Sequence, residues 1–244
     1  MLPVGYLQPA RSWRSCVDAG RVAVSRARTA RNLPLPIQPI YLEHMNRVDA
    51  LAPEIYAAFD RIKPMPADLR PQLRSALSVR TVDRGEHLVS VGDPCDFIAY
   101  MCSGWLRYFY VDELGKEFTR YFCTAGHFVA PHGTDEGSSY CIVAVEDAQL
   151  LVIPRAKFEH LLDVHPYWGR VVFAVSEFAL GLAEKRERTL VLRNATERYF
   201  DLLNDFPGIE NHVRQLDIAS YLGITPEALS RIRGQKAPFV RPKN

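Results

Sequence analysis

Long apolar runs, paired cysteines and common catalytic motifs are all missing from this chain. Its apolar runs are interrupted well short of the roughly 20 residues that a membrane span needs, so we expect no membrane partner. Its five cysteines never form a C-x-x-C pair, which argues against a disulfide framework, a zinc site or an iron–sulfur cluster. A G-x-S-x-G elbow, a P-loop, an H-E-x-x-H helix and a G-x-G-x-x-G turn are absent too. These absences predict a cytoplasmic protein that is not an enzyme and needs no cofactor.

Acidic residues are scarce at both ends of the chain. Met1–Tyr41 has six arginines and only the single acid Asp18. We therefore expect residues 1–44 to be a basic, disordered and dispensable extension, unless translation begins at Met45. From Ala228 onward there is no acid at all, and a basic end of this kind attracts phosphate groups. The basic residues of this end are Arg231, Arg233, Lys236, Arg241 and Lys243.

Between the two ends, residues 79–153 have the pattern of short strands. Runs rich in Phe, Tyr, Val and Ile alternate with glycines that recur every 11 or 12 residues. Turns at intervals of ~8–12 residues predict a sandwich or a barrel. The glycines are Gly92, Gly104, Gly115 and Gly126, and the clearest strand runs are Phe97–Met101, Trp105–Val111 and Phe118–Phe122.

Helical spacing occurs on both sides of the strands. Val48–Asp60 and Asp68–Leu77 predict two helices before them, and a long helix is predicted from His165. Asn194 predicts the cap of a further helix over Ala195–Asn204. In the long helix, apolar residues recur at spacings of 3, 4, 3 and 4, which is typical of a subunit-pairing seam but equally of packing on the strand domain. The seam consists of Trp168, Val171, Val175, Phe178 and Leu182.

The stretch Gln215–Gln235, QLDIASYLGITPEALSRIRGQ, predicts a helix-turn-helix. Ile218, Ala219 and Leu222 share one face of a first helix, and Gly223 can take the left-handed backbone of a sharp turn. An ordinary helical hairpin is the alternative interpretation.

The second helix of this motif has a natural start and an inner face. Thr225 can cap it, and Pro226 fits its first position, where no backbone donor is needed. Leu229 and Ile232 face back to the first helix. The residues that are left pointing outward are Glu227, Ser230, Arg231 and Arg233.

The outward residues suit DNA recognition. Arg231 can grip guanine bidentately, while Glu227, four residues earlier, can accept from cytosine and orient Arg231. An exposed i, i+4 salt bridge is the alternative for this pair. Thr225 and Ser230 are candidates for phosphate or base-edge contacts. Arg233 and Lys236 are candidates for phosphate contacts, which position a protein without specifying a sequence.

The order of a β-roll, a long helix and a helix-turn-helix resembles the Crp/Fnr superfamily of bacterial transcription regulators. The similarity covers about Asp68 to Gln235. SGWLRYFYVDELGKEFTRYF, within Gly92–Gly126, looks like the cyclic-nucleotide-binding-like roll, and VEDAQLLVI looks like its closing strand. ITPEALSRIRGQ resembles the recognition helix of one branch of the superfamily. The resemblance implies a homodimer on two-fold symmetric double-stranded DNA, with RNA polymerase and an unknown small-molecule effector as further candidate partners.

The segment that binds cyclic nucleotide in relatives departs from their pattern here. Those relatives carry a Glu for the ribose and an Arg for the cyclic phosphate after a G-D-F-like turn. By alignment, Pro131 and Ser139 occupy those two positions, and no Arg or Lys occurs between Gly126 and Leu150. A buried phosphate needs a fixed cation. We therefore expect the roll not to bind cyclic nucleotide in the usual way.

Arg120 is the candidate exception. Strand alternation puts it on one face with Phe118 and Phe122. If that face is the interior, Arg120 could meet an anionic effector; otherwise it is solvated or paired with a carboxylate. His127 and His132, five residues apart, match no standard metal site, so we expect no metal. The candidate effector pocket consists of Arg120, Phe122, Ala130, His132, Ser138 and Ser139.

The predicted fold class is α+β. We expect an N-terminal β-roll (a double-stranded jelly roll) in a sensor domain at 45–164, a dimerisation helix at 165–190, and a helix-turn-helix domain at 191–244 that lacks most of the wing. The predicted function is that of a sequence-specific DNA-binding transcription regulator that acts as a homodimer. The alternative is a ligand-binding or protein-interaction module of the same fold that does not bind specific DNA.

Overall fold

Two helices precede the strands in the computed structural model, which describes residues 39–234. α1 spans Pro39–Ile62 and α2 spans Leu69–Ala76. α1 begins before both the predicted helix start at Val48 and the predicted domain boundary at 45, and proline is well tolerated at such a start. Residues 1–38, which include most of the predicted basic extension, lie outside the described residues.

The described residues contain ten strands, arranged mainly as two antiparallel sheets of four. The first sheet has the order β1 (Ser78–Val82), β10 (Ala148–Pro154), β3 (Phe97–Ser103), β6 (Phe128–Val129). The second has the order β2 (His87–Val89), β9 (Cys141–Ala144), β4 (Trp105–Val111), β5 (Glu117–Thr124). A small hairpin joins β7 (Gly133–Thr134) to β8 (Gly137–Ser138). The predicted β-roll is confirmed.

The turn between β3 and β4 requires the glycine that the sequence places there. Gly104 has φ +89°, and a Cβ on it would lie 2.5 Å from the carbonyl oxygen of Asp147. Any other residue would therefore be strained by its backbone conformation and would collide with the chain beside β10.

Large side chains fill the interior of the roll. Met101, Leu106, Ile142 and Leu150 are fully buried, and Tyr140 is 1% exposed among them. The four cysteines in the described part of the chain form no disulfide, and burial raises the pKa of the Cys123 thiol to about 12. The interior of the roll is thus a packed core built from the alternate residues of facing strands.

The regular structure of the described residues after the strands is helical. The sequence does not predict the first of these helices, α3 (Arg155–Val164), on which only Phe158 and Leu161 are buried. Asn194 caps α5 (Ala195–Asp205) as predicted: its side chain accepts from the Glu197 N–H at 2.9 Å, and the Glu197 carboxylate accepts from the Asn194 N–H at 3.1 Å. Of the helices in residues 39–234, none has the length and apolar character of a membrane span. The helices are α3 (Arg155–Val164), α4 (Pro166–Leu192), α5 (Ala195–Asp205), a 3₁₀ turn (Ile209–Asn211), α6 (Gln215–Leu222) and α7 (Pro226–Gly234).

The predicted pairing seam of α4 is divided between two environments. Trp168 is 0% exposed and Val171 is 2% exposed, and both pack in a core shared with α1 and α3. Val175 packs against the same core. Phe178, by contrast, is 64% exposed, and Leu182 is half-buried. This corrects the predicted seam: Trp168 and Val171 are covered by their own protomer, so they offer no surface to a partner.

Candidate nucleic-acid interface

A glycine in the left-handed backbone conformation joins the two helices of the predicted motif. Gly223 has φ 67° and ψ 37°, and its N–H donates to the carbonyls that end α6. The Ile224 N–H donates to the Ala219 carbonyl at 3.0 Å. Together these bonds satisfy the carbonyls of Ala219 and Ser220 near the end of α6 and turn the chain into α7. The predicted sharp turn is confirmed.

The inner faces of α6 and α7 share one core. Ala219, Leu222 and Leu229 are fully buried in it, and Ile232 is 9% exposed. At the start of α7, the Thr225 hydroxyl accepts from the Ala228 N–H at 3.3 Å, which caps the helix. The small side chain of Ala219 lets the two helices approach each other closely.

The outer face of α7 is open. Glu227, Ser230 and Arg231 are all exposed. Hydrogen bonds from its own backbone N–H and from Thr225 lower the pKa of Glu227, and the positive charge of Arg231 adds to this effect. The ion pairs of the described residues do not include one between Glu227 and Arg231, so the guanidinium of Arg231 can reach a ligand. This face presents one carboxylate acceptor and one exposed cation.

Arg233 is already engaged within the protein. Its Nε lies 2.8 Å from the Glu210 carboxylate, which also accepts from the Tyr199 hydroxyl at 2.8 Å. A phosphate contact of Arg233, as predicted, would need to compete with Glu210. The predicted phosphate contact Lys236 and the other basic residues after Gly234 lie outside the described residues.

Arg120 lies at a break in the alternation of β5. Tyr108 of β4 pairs with Tyr121, while the next residue, Phe109, pairs with Thr119. Arg120 is therefore the extra residue of a β-bulge, so Phe118 and Phe122, which pair with Tyr110 and Arg107 of β4, lie on opposite faces of the sheet. This corrects the predicted face. Phe122 is 0% exposed and packs with the C-terminal helices, outside the roll interior.

The side chain of Arg120 lies against two tyrosines. Its guanidinium carbon is 5.1 Å from the ring centroid of Tyr140 and 6.0 Å from that of Tyr110. The Tyr140 hydroxyl accepts from the His132 N–H at 3.1 Å and lies 3.3 Å from its Nδ1. Burial, followed by the positive charges of Arg120 and Arg155, lowers the pKa of His132. The structure thus brings Arg120 and His132 together around Tyr140, which occupies the space between them.

The remaining residues of the predicted effector pocket are not gathered there. The Ser138 hydroxyl is buried and donates to the Tyr140 carbonyl at 2.8 Å, so it serves the local loop. Ala130 and Ser139 are exposed. Of the two histidines weighed as metal ligands, His127 bonds through Nδ1 to the Thr124 carbonyl at 3.0 Å.

A buried ion pair between the roll and α6 was not among the predicted site residues. Arg107 of β4 and Asp217 of α6 are 3% and 1% exposed, and Nη1 of Arg107 lies 3.3 Å from Oδ1 of Asp217. The available signal was the position of Arg107 inside the otherwise apolar run WLRYFYV. A charge in such a run needs a buried partner, but the sequence does not say which one.

Residues 79–165 match the family of cyclic nucleotide-binding domains. This range runs from the first strand of the roll to the residue before α4. None of the curated proteins matches the chain significantly.

Solved structures with this fold include several regulators. FixK2 from Bradyrhizobium japonicum is 20% identical, with a TM-score of 0.59, and the match covers 65% of this chain and 83% of FixK2. A regulator of the Crp/Fnr family from Eubacterium rectale is 16% identical, with a TM-score of 0.57 and coverage of 69% and 82%. The c-di-GMP responsive global regulator CLP of Xanthomonas campestris is 16% identical, with a TM-score of 0.56 and coverage of 70% and 91%.

These matches confirm the predicted resemblance to the Crp/Fnr superfamily in the domain family of the roll and in the fold. The predicted α+β class is confirmed with it. At such identities the likeness concerns the fold, and the activity has to be argued from this chain's own residues.

Proposed function

We propose that this protein is a transcription regulator that binds a specific DNA sequence as a homodimer. The observation that carries the proposal is the exposed face of α7, with Glu227, Ser230 and Arg231 on a helix held rigidly by the core beneath it. Such a helix fits the major groove, where arginine and carboxylate side chains read base edges. The fold, shared with known regulators, supports the same conclusion.

Retention of genomic DNA tests the binding step. Immobilised protein is incubated with sheared genomic DNA at about 150 mM salt, near physiological ionic strength, together with excess random-sequence competitor. We expect a few fragments to be enriched reproducibly. Retention of DNA without any preference, or no retention, would favour the alternative of an interaction module whose helix-turn-helix is only a packing device.

The dimer is proposed to form through the outer side of α4. Phe173 is 68% exposed and Leu180 is 57% exposed, and Ser176 and Ala183 are exposed between and after them. These four residues recur at spacings of 3, 4 and 3, so they form a second heptad seam, opposite the buried one. An apolar stripe of this kind on a long helix is typical of a subunit interface.

A charge in this outer seam is expected to weaken the dimer. Phe173→Glu should raise the dissociation constant of the dimer at least about tenfold, because a carboxylate would be buried against apolar side chains. Sedimentation equilibrium over a range of protein concentrations measures the constant. Val91→Glu, a control at an exposed apolar residue of the roll, should leave it unchanged. The same dimer dissociation constant for Phe173→Glu and Val91→Glu would contradict the proposed interface.

The roll is proposed not to bind cyclic nucleotide in the usual way. Tyr140 is buried in the interior with its ring 5.8 Å from that of Tyr108. The protein's own aromatic side chains therefore fill this part of the interior, and the loop offers no arginine at the aligned phosphate position. Arg120 approaches from the neighbouring strand but stacks on Tyr140. Contact with RNA polymerase and an effector of another kind stay predictions.

Cyclic AMP and cyclic GMP are therefore expected to leave the thermal unfolding midpoint unchanged. A ligand at 100 times its dissociation constant would stabilise the protein by about 2.7 kcal/mol, which a melting curve detects easily. Arg120→Leu serves as the matched variant. A rise in the midpoint that Arg120→Leu abolishes would contradict this proposal and establish an anion site at Arg120.

A further inference from the structure

The first helix of the helix-turn-helix lies directly against the edge of the roll. β5 is an edge strand, and edge strands present backbone groups that need partners. The Thr119 N–H donates to the Ser220 hydroxyl at 2.9 Å, and that hydroxyl donates to the Glu117 carbonyl at 3.3 Å. A side chain of α6 thus takes the place of a further strand.

Arg107 and Asp217 form the charged centre of this contact. Arg107 donates through Nε to the Thr119 hydroxyl at 2.8 Å, and its Nη1 lies 2.5 Å from the Glu117 carboxylate and 3.3 Å from that of Asp217. From the other side, Arg214 donates to both carboxylate oxygens of Asp217, at 2.8 and 3.0 Å. Every charge in the contact therefore has a partner of opposite sign.

Aromatic side chains of the roll lie beside this ion pair: the guanidinium carbon of Arg107 is 4.4 Å from the ring centroid of Phe109, and Phe122 is the residue of β5 that pairs with Arg107. Trp105 and Phe122 belong to the core of the C-terminal helices. Trp105 stacks on His212 with ring centroids 5.3 Å apart, and the ring of Phe122 lies 5.4 Å from that of Tyr221. Low exposure to water strengthens the attraction between the two charges and raises the cost of separating them.

A buried ion pair fixes the position of a helix more narrowly than apolar packing does. Apolar attraction is non-directional, whereas the attraction of an ion pair depends on the distance between two particular groups. If α6 slid or rotated on the roll, Arg107 and Asp217 would lose each other and keep only the partner on their own side of the contact, Glu117 for Arg107 and Arg214 for Asp217. The pair therefore favours one position and orientation of α6 on the roll.

The position of α6 on the roll also determines the position of α7. Ala219 and Leu222 of α6 share a fully buried core with Leu229 of α7, and the turn at Gly223 is closed by hydrogen bonds. The two helices therefore move as one body. In a dimer, the distance between the two copies of α7 sets the half-site spacing that the protein accepts.

We propose that Arg107 is a positioning residue for DNA recognition. Through Asp217 it holds α6 on the roll, and so it sets the half-site spacing of the operator without touching DNA. This inference rests on the proposed function. It assigns spacing selectivity to a residue of the roll, while base selectivity belongs to α7.

The test is a binding competition among inverted repeats that share one half-site and differ only in spacer length. Wild-type protein is expected to prefer one spacer. In Arg107→Met/Asp217→Leu, which replaces both charges by apolar side chains of similar size, that preference should fall about fivefold or more, while the half-site sequence stays the same. A merely structural role would lower thermal stability or total affinity without broadening the spacer preference.

Two further variants make the result decisive. Arg70→Met/Asp60→Leu is the matched control, because this 3.1 Å pair joins α1 and α2 away from the contact, and it should keep the wild-type preference. Arg107→Lys keeps the positive charge but loses the planar set of guanidinium N–H donors. It replaces the double variant if that variant does not fold. An unchanged spacer preference in a folded Arg107 variant overturns the inference. Wild-type protein that selects no inverted repeat overturns the proposed function, and this inference with it.

Discussion

Trp168→Ala is expected to lower the free energy of unfolding by about 3–5 kcal/mol, the usual cost of deleting a buried aromatic side chain. Trp168 is 0% exposed. Its ring lies 5.4 Å from that of Phe59 on α1 and 5.9 Å from that of Phe158 on α3, both edge-on. Removing it would leave a cavity where three helices meet. Urea unfolding followed by circular dichroism measures the effect.

Phe178→Ala is the matched control for this prediction. Phe178 belongs to the same sequence-predicted seam of α4, but it is 64% exposed. We expect its loss to cost less than about 1 kcal/mol, as is usual for surface substitutions. Similar losses for Trp168→Ala and Phe178→Ala would mean that the seam is not divided between the protomer's core and its surface as described.

Arg231→Ala is expected to weaken specific DNA binding by about 1–3 kcal/mol, the range of one bidentate contact to a base. It should also relax selection at one base position. The reason is that Arg231 is exposed on α7 and forms no ion pair with Glu227 among the described residues. Its guanidinium group is therefore available to a base edge. Fluorescence anisotropy titrations with the selected duplex and with its single-base variants measure both effects.

Arg170→Ala controls for the loss of a positive charge. Arg170 is exposed near the start of α4, whose neighbouring residues pack on α1 and α3 rather than on the helix-turn-helix. Its loss should leave DNA binding nearly unchanged. If Arg231→Ala weakens specific and random duplexes by the same factor, Arg231 contacts phosphate and the assignment of base reading to it is wrong.

Local patterns in the sequence predict the helix-turn-helix well. Gly223 ends α6 and Pro226 begins α7 at the positions expected. β4 likewise spans Trp105–Val111 as predicted. These features depend on backbone preferences of a few neighbouring residues, such as the left-handed conformation that glycine adopts freely and the fixed φ of proline. Information of that kind is present in a short stretch of sequence.

The environment of a helix face is harder to predict. The spacing of Trp168, Val171 and Val175 marks an apolar face, but the same spacing serves a subunit partner and the protein's own core. The outer seam alternates Phe173 and Leu180 with the small residues Ser176 and Ala183, so its heptad spacing is harder to recognise in the sequence. Which face meets which neighbour depends on tertiary packing.

Features that join distant parts of the chain could not be predicted. The bulge at Arg120 puts Phe118 and Phe122 on opposite faces, and it arises from the pairing of β5 with β4 rather than from the sequence of β5 alone. The pair of Arg107 with Asp217 joins a strand of the roll to a helix near the C-terminus. Its partner choice follows from the way α6 docks, which no local pattern records.

Selection of bound sequences from a random duplex pool tests the central claim most directly. The purified protein is used without added ligand, and the bound fraction is amplified and sequenced over several rounds. We predict recovery of an inverted repeat with half-site centres about 10 bp apart, or a multiple of that distance, as a dimer that reads two major grooves requires. Recovery of no enriched sequence, either alone or in the presence of cell metabolite extract, would contradict the account.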